Sequence, residues 1–182
     1  MLVLPPGAMV YHASPLPEGA PEPQTACGAW LMPLRTASRG PAPRTDGPDV
    51  VDDAINYFRA NVLFRKYDVQ GPGDKLLLWL TLYISQCLRR CESAKTKPEA
   101  AKALATLAGE PFALPGDPHF ALSSLMPAPA GRDEAELFRS YLKQAREEVG
   151  ARLVERCYTA EGGQDKWWMA FSKKKFMNKA LE

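Results

Sequence analysis

Proline is distributed unevenly along this chain, and that distribution limits where helices can form. Ten of the 17 prolines lie in residues 1–48, seven lie in 72–129, and 130–182 contains none. Because proline fixes φ and lacks an amide hydrogen, a segment this rich in proline is not mostly helical. We therefore predict an extended arm over residues 1–48 and a helical domain over residues 49–182.

The predicted arm is more than a polar linker, because the run 30–34 contains four large apolar side chains. An arm that carries such a patch is expected to lie along a surface, either its own or that of a partner. Residues 1–8 form a possible N-terminal extension, since Met9 is a second candidate start of the chain.

Apolar spacing and capping signals predict the first two helices. Asp49 is a good N-cap, and apolar residues follow it at positions 51, 55, 58 and 62, which is one helical face. The second helix, from about 74 to 92, is apolar on every face. A helix of that kind must be surrounded by other elements, so we predict that it is the central helix of the fold.

Three further helices are predicted downstream. Thr96 and Glu99 form a capping box that starts a short helix ending near Gly109. After a connection with five prolines, over residues 110–131, a long helix follows at about 133–158. The last helix is predicted at about 165–181. Since we find no convincing β-hairpin pattern, the predicted fold class is all-α, with about five helices.

Length, charge and cysteine content exclude several classes of protein. A chain of 182 residues fits one domain. The net charge of +2 is too balanced for a dedicated duplex-binding protein. Four cysteines do not make a disulfide scaffold, so we interpret them as reduced thiols of a cytosolic protein. The longest apolar-dominated run, 75–88, is shorter than the roughly 20 residues that cross a bilayer, which predicts no membrane insertion.

The sequence contains no pattern typical of a catalytic or metal site. It has no nucleophile elbow and no phosphate-binding glycine loop. His12 and His119 each lie in a proline-rich stretch, with no carboxylate or second histidine at ligand spacing. Cys87 and Cys91 would place two thiols on adjacent helical turns, but a zinc site needs about four ligands. We therefore predict no catalytic residue, no cofactor and no metal.

The C-terminal segment has the most distinctive composition. Residues 166–182 contain five lysines and one glutamate, together with two tryptophans and two phenylalanines. Such a segment can bind single-stranded nucleic acid by stacking, or lie on an anionic membrane. It can also present a basic face to an acidic protein partner, or simply bury its tryptophans under solvated lysines. We favour the last two interpretations, and both remain open at this stage.

Several ordered motifs give the chain a resemblance to a known family. The chain is similar, over about residues 9–182, to the 21 kDa subunit (subunit 3) of the actin-related protein 2/3 complex. The motifs that carry the resemblance are LMPLR at 31–35 with GPAP at 40–43, DVVDDAINYFRANVLF at 49–64, TLYIS at 81–85, FALPGDP at 112–118, and KWWMAF at 166–171 with FMNK at 176–179.

The resemblance implies a structural role without catalysis by this chain. It implies a five-helix fold with one helix surrounded by the others. The subunit would pack against actin-related protein 3 and other subunits, support branched actin filament nucleation in the cytoplasm, and reach actin filaments through the complex. The alternative function is a stand-alone helical adaptor whose basic C-terminal helix binds RNA or an anionic membrane.

Partner contacts are predicted in three places: the apolar patch of the arm, the loop around 112–122, and the basic C-terminal segment. The candidate interface residues are Trp30, Leu31, Met32, Leu34, Arg35, Phe112, Phe120, Trp167, Trp168, Lys173, Lys174 and Lys175.

Overall fold

The computed structural model describes residues 7–181, which contain five helices and one two-stranded sheet. Most of the predicted extension, residues 1–6, therefore lies outside the described part of the chain. The elements, in chain order, are β1 Thr25–Ala26, β2 Ala29–Trp30, α1 Val50–Asn61, α2 Pro72–Cys91, α3 Lys97–Gly109, α4 Arg132–Cys157 and α5 Lys166–Met169.

Reciprocal capping boxes start α1 and α3. The Asp49 carboxylate accepts hydrogen bonds from the amides of Val51 and Asp52, and the Asp52 side chain accepts one from the Asp49 amide. Thr96 and Glu99 make the same exchange at the start of α3. Each box satisfies amide groups that have no partner within the helix, so both helices begin where the capping pattern predicts.

The fold is mostly helical, and the prediction of a purely all-α chain without a hairpin was wrong. β1 and β2 form an antiparallel hairpin in which Thr25 pairs with Trp30. Its two turn residues, Cys27 at φ 49° and Gly28 at φ 75°, both have left-handed backbone conformations. That turn matches the twist of a hairpin, but its usual sequence signal is Asn-Gly. Cysteine in the first position gives no such signal.

The predicted last helix at 165–181 was also wrong in its length. α5 has only four residues, and turns replace the helix beyond it. Near the C-terminus an isolated bridge pairs Phe176 with Lys179 around Met177 and Asn178, which have φ values of 51° and 57°. These left-handed residues reverse the chain, and Phe171 and Phe176 are buried without a continuous helix.

α2 has more buried residues than any other helix in the described chain. Fifteen of its twenty residues are buried. It packs against α1, α3, α4 and β2. Among its polar residues, Thr81 is buried and donates its hydroxyl to the Leu77 carbonyl oxygen, 2.8 Å away. Ser85 is also buried, whereas Gln86 is half-buried, so α2 is mostly but not wholly enclosed.

The apolar patch of the arm packs into the chain's own core. Leu31 and Leu34 are fully buried, and Met32 is nearly so. The Met32 carbonyl oxygen accepts a 2.7 Å hydrogen bond from the hydroxyl of Tyr141, which lies on α4. The patch therefore joins the arm to the helices of the same chain.

An arginine from α4 caps the C-terminal end of α3. Arg146 is 2% exposed and donates hydrogen bonds to the carbonyl oxygens of Leu107 and Glu110. Its guanidinium lies 4.4 Å from the ring centre of Phe112 and 5.0 Å from that of Tyr83. The negative end of the α3 dipole and two aromatic faces thus surround this buried cation.

Candidate interaction surface

The C-terminal segment is positioned by a short capped turn. The Asp165 carboxylate accepts hydrogen bonds from the amides of Trp167, at 2.7 Å, and Trp168, at 3.3 Å. Further main-chain hydrogen bonds continue the turns as far as Lys174. Since consecutive residues of such a turn point in different directions, the two tryptophans enter different environments.

Trp168 belongs to the core. It is 4% exposed and stacks on Phe58 of α1, with ring centres 6.1 Å apart. Phe171 packs edge-on against the same Phe58 ring at 6.4 Å. The guanidinium groups of Arg59 and Arg156 lie 5.1 Å and 6.0 Å from the Trp168 ring centre. This side chain therefore anchors the C-terminal segment to α1 and α4.

Trp167, by contrast, is 73% exposed and is the most exposed tryptophan among the described residues. Lys166, Lys173 and Lys175 are also exposed, and Lys174 is half-buried. We call these five residues the Trp167 surface. Between residues 166 and 181 the sequence contains no acidic side chain, so this surface carries a local excess of positive charge. An exposed tryptophan with lysines close to it in the sequence suits an acidic protein surface.

The other predicted interface residues are mostly enclosed. Leu31, Leu34 and Phe120 are at most 4% exposed, and they therefore present almost no surface to a partner. Trp30 and Phe112 are half-buried, and Phe112 packs under the Arg146 guanidinium. With Met32 and Trp168 buried as described above, the exposed candidates are Arg35, Trp167, Lys173 and Lys175, while Lys174 is half-buried.

Arg35 belongs to an ion-pair cluster at the start of α1. Its amide donates to the Asp49 carboxylate at 2.7 Å, and its guanidinium lies 3.1 Å from Asp52. Arg152 of α4 donates to both Asp49 oxygens, at 2.6 Å and 2.8 Å, and to the Arg35 carbonyl oxygen. Glu148 completes the cluster at 3.3 Å from Arg152.

Asp49 is the buried centre of this cluster, since its side chain is 0% exposed. Burial by itself would raise the pKa of Asp49. Hydrogen bonds from Arg152 and from the amides of Arg35 and Asp52, with the charge of Arg152, outweigh burial and hold that pKa below its ordinary value. The cluster thus joins the arm, α1 and α4 through one ionised carboxylate.

Sequence reasoning missed this cluster and the contacts of His12. The His12 ring nitrogen lies 2.7 Å from Asp74, which is 62 residues away in the chain. Asp49 and Arg152 are 103 residues apart. The polar residues are visible in the sequence, but no local pattern pairs groups so distant along it.

The cysteines lie in positions that suppress their reactivity. All four are free and buried. Burial, with a smaller contribution from the charge of Glu134, raises the pKa of Cys27 to about 11. Burial also raises the pKa values of Cys87, Cys91 and Cys157. At neutral pH these side chains are therefore thiols, which are weak nucleophiles.

Residues 7–181 contain neither a metal-ligand cluster nor a membrane-spanning helix. No group of three or more histidine, cysteine, aspartate or glutamate side chains in that range is arranged to hold a metal ion. No helix in the same range is long and apolar enough to cross a membrane.

Together, the fold and its polar clusters define a mostly helical protein whose ion pairs join its own segments and whose clearest external feature is the Trp167 surface. Comparison with known proteins then identifies the family. A family model described as the ARP2/3 complex ARPC3 (21 kDa) subunit matches residues 9–181, and the chain belongs to that family.

Individual relatives match over nearly their whole length. The chain is 46% identical to actin-related protein 2/3 complex subunit 3 of Arabidopsis thaliana, over 93% of this chain and 98% of the relative. It is 43% identical to the protein of the same name in Dictyostelium discoideum, over 95% and 100%. The Schizosaccharomyces pombe protein is 40% identical, over 94% and 98%.

Proposed function

We propose that this chain is a non-catalytic structural subunit of the actin-nucleating actin-related protein 2/3 complex, located in the cytoplasm at the actin cytoskeleton. The observation that supports this proposal is the family match over residues 9–181, together with relatives that align from end to end. These relatives bear the name of a complex subunit, so they lend no support to a stand-alone adaptor for RNA or membranes.

We further propose that the chain consists of an arm and a helical domain. Residues 7–48 act as an extended arm on a helical domain formed by 49–181, and α2 is the central helix of that domain. The burial of α2 and its packing against three helices and β2 support this arrangement. The arm would then brace the domain through the buried run 31–34 and the Asp49 cluster.

The Trp167 surface is our proposed contact with a neighbouring subunit, and actin-related protein 3 is the partner that we favour. Its tryptophan would supply the apolar anchor of the contact. Its lysines would attract an acidic surface and speed association more than they would raise affinity. The lysines are mostly exposed and none forms an ion pair among the described residues, so they are free to meet carboxylates.

A tagged pull-down from native cytosol tests the proposed function. We expect two actin-related proteins and the remaining subunits to be recovered with the tagged chain, in one large particle at fixed stoichiometry. Mass spectrometry identifies the members, and gel filtration measures the particle. Recovery of the 20.1 kDa chain alone, or with RNA, would contradict the proposal.

Charge reversal tests the proposed contact. Replacing all three lysines of 173–175 by glutamate should slow incorporation into the complex by about tenfold, with the helical circular dichroism unchanged. The matched control reverses three exposed lysines elsewhere in the chain, Lys95, Lys102 and Lys143, with the same change of net charge. Equal incorporation of the two triple variants would show that the Trp167 surface makes no such contact.

A further inference from the structure

A short N-terminal segment, residues 11–14, is fastened across α1 and α2. We call it the N-terminal clasp. The Tyr11 amide donates to the Asn61 side chain at 2.8 Å, and the Asn61 amide group donates back to the Tyr11 carbonyl oxygen at 2.9 Å. The Tyr67 hydroxyl donates to that same oxygen at 2.8 Å. The Tyr11 ring stacks on Tyr57, with ring centres 4.8 Å apart.

Two carboxylates hold the remainder of the clasp. Asp74, which is 4% exposed, accepts a 2.9 Å hydrogen bond from the Ala13 amide and lies 2.7 Å from the His12 ring. Asp53 of α1 accepts from the Ser14 amide at 2.8 Å and from the Ser14 hydroxyl at 3.0 Å. The clasp therefore ends at a serine whose hydroxyl donates a hydrogen bond to a carboxylate.

Ser14 has the features of a phosphorylation site. It is exposed, and it lies in a stretch without helix or strand. Pro15 follows it, and Ser14-Pro15 is the one Ser-Pro or Thr-Pro dipeptide in the whole sequence. A residue before proline favours the extended backbone that a kinase groove accepts. We propose that Ser14 is a substrate of a proline-directed protein kinase, and that its phosphorylation releases the N-terminal clasp.

The reaction itself is an ordinary phosphoryl transfer from ATP. The Ser14 Oγ forms a bond to the γ-phosphorus, and the bond from that phosphorus to the bridging oxygen of ADP breaks. The hydroxyl proton passes to the general base of the kinase. The product carries close to two negative charges at neutral pH and has lost the hydroxyl donor.

The surroundings of Ser14 determine whether the new phosphate would tighten or loosen the clasp. The groove beside it is lined by three charged residues among those described, and all three are acidic: Glu22, Asp49 and Asp53. Within residues 7–181, no lysine or arginine lines the groove to pair with a phosphate. Asp49 already caps the first amides of α1, so the helix start offers little further stabilisation to an anion. Repulsion from Asp53 therefore dominates, and the clasp opens.

In-vitro phosphorylation of the purified full chain tests the proposal. A proline-directed kinase of the cyclin-dependent class should add one phosphate at Ser14, as shown by mass spectrometry. Amide hydrogen exchange at Ala13 and Ser14 should then become about tenfold faster, because the hydrogen bonds to Asp53 and Asp74 are weakened. Absence of phosphate at Ser14, while a control peptide is fully modified, would overturn the proposal, as would phosphorylation that leaves exchange unchanged.

Two variants test separately whether the kinase recognises Ser14 through Pro15 and whether the phosphate releases the N-terminal clasp. Pro15→Ala keeps the Ser14 hydroxyl and its hydrogen bonds but should lose most of the phosphorylation. Asp53→Asn keeps the phosphorylation but removes the carboxylate that would repel the phosphate, so its exchange should accelerate much less on modification. Equal acceleration in Asp53→Asn and in the unaltered chain would refute the release mechanism. Because these measurements use the chain alone, their outcome does not depend on the function proposed above.

Discussion

Arg152 should be the most important single charge for the stability of this chain. It donates two hydrogen bonds to Asp49, at 2.6 Å and 2.8 Å, and its own side chain is 15% exposed. Replacing it with methionine retains apolar volume but leaves the fully buried Asp49 carboxylate without its cation. Breaking a buried pair from one side costs about 3–5 kcal/mol of unfolding free energy.

Urea unfolding of the purified full chain, followed by circular dichroism, measures this loss. With a slope of about 2 kcal/mol per molar urea, the Arg152→Met midpoint should fall by about 1.5–2.5 M. Arg139→Met is the matched control on the same helix, since the Arg139 side chain is 46% exposed and lies 4.0 Å from Glu136. That change should cost less than about 1 kcal/mol. Equal midpoints for the two variants would refute the reasoning.

A second variant tests whether the buried charge itself is the cause. Adding Asp49→Asn to Arg152→Met removes the uncompensated carboxylate and retains a good N-cap residue for α1. The double variant should recover about 1–3 kcal/mol relative to the sum of the single changes. Strict additivity would mean that Arg152 stabilises the chain only through packing.

The same cluster predicts how stability depends on pH. Because the folded-state pKa of Asp49 lies below its ordinary value of 3.8, its contribution is complete above that value and is lost as pH falls through the folded pKa. Arg152→Met removes the cation that lowers the pKa of Asp49 by its hydrogen bonds and its charge. The difference in unfolding free energy between the variant and the unaltered chain should therefore be constant near neutrality and shrink below about pH 4. A difference that is independent of pH down to pH 2 would contradict this.

Three further predictions concern the core. Trp79→Ala should cost about 3–5 kcal/mol in urea unfolding, because Trp79 is 1% exposed and stacks on Tyr83; a loss below 1 kcal/mol would contradict the proposed central helix. Gly150→Leu should lower the free energy of unfolding by about 1–3 kcal/mol in the same assay, because even a Cβ at position 150 would lie 3.3 Å from the Leu104 Cβ. An unchanged midpoint would show that α3 moves freely to accommodate the larger side chain. The four buried cysteines should react with a thiol reagent at pH 8 only on unfolding, and prompt labelling of the folded chain would contradict their burial.

Local signals in the sequence predicted much of the helical framework. The capping residues Asp49 and Thr96 act within three residues of their partners, so their pattern located the starts of α1 and α3. The alternation of proline-rich and proline-free regions limited the other helices in the same local way. The hairpin and the short α5 were missed, because both depend on left-handed residues such as Cys27 and Met177 that carry no turn signal.

The predicted interface likewise depends partly on neighbouring residues and partly on contacts between distant parts of the chain. The sequence identifies an unusual concentration of aromatic and basic residues after residue 165, but it treats Trp167 and Trp168 alike. The tertiary structure separates them, since packing against Phe58 buries Trp168 and leaves Trp167 exposed. Which tryptophan can meet a partner thus depends on where α1 lies.

By itself, then, the sequence determined the order of the helices, the starts of two of them and the family to which the chain belongs, because capping, periodicity and motif order are properties of neighbouring residues. The tertiary structure decided which carboxylates meet which cations and which apolar residues remain outside. Asp49 contacts Arg152, which is 103 residues away in the chain, and Ser14 contacts Asp53, which is 39 residues away. Such pairs form only when the whole chain has packed, since their energy depends on distance and burial rather than on position along the sequence.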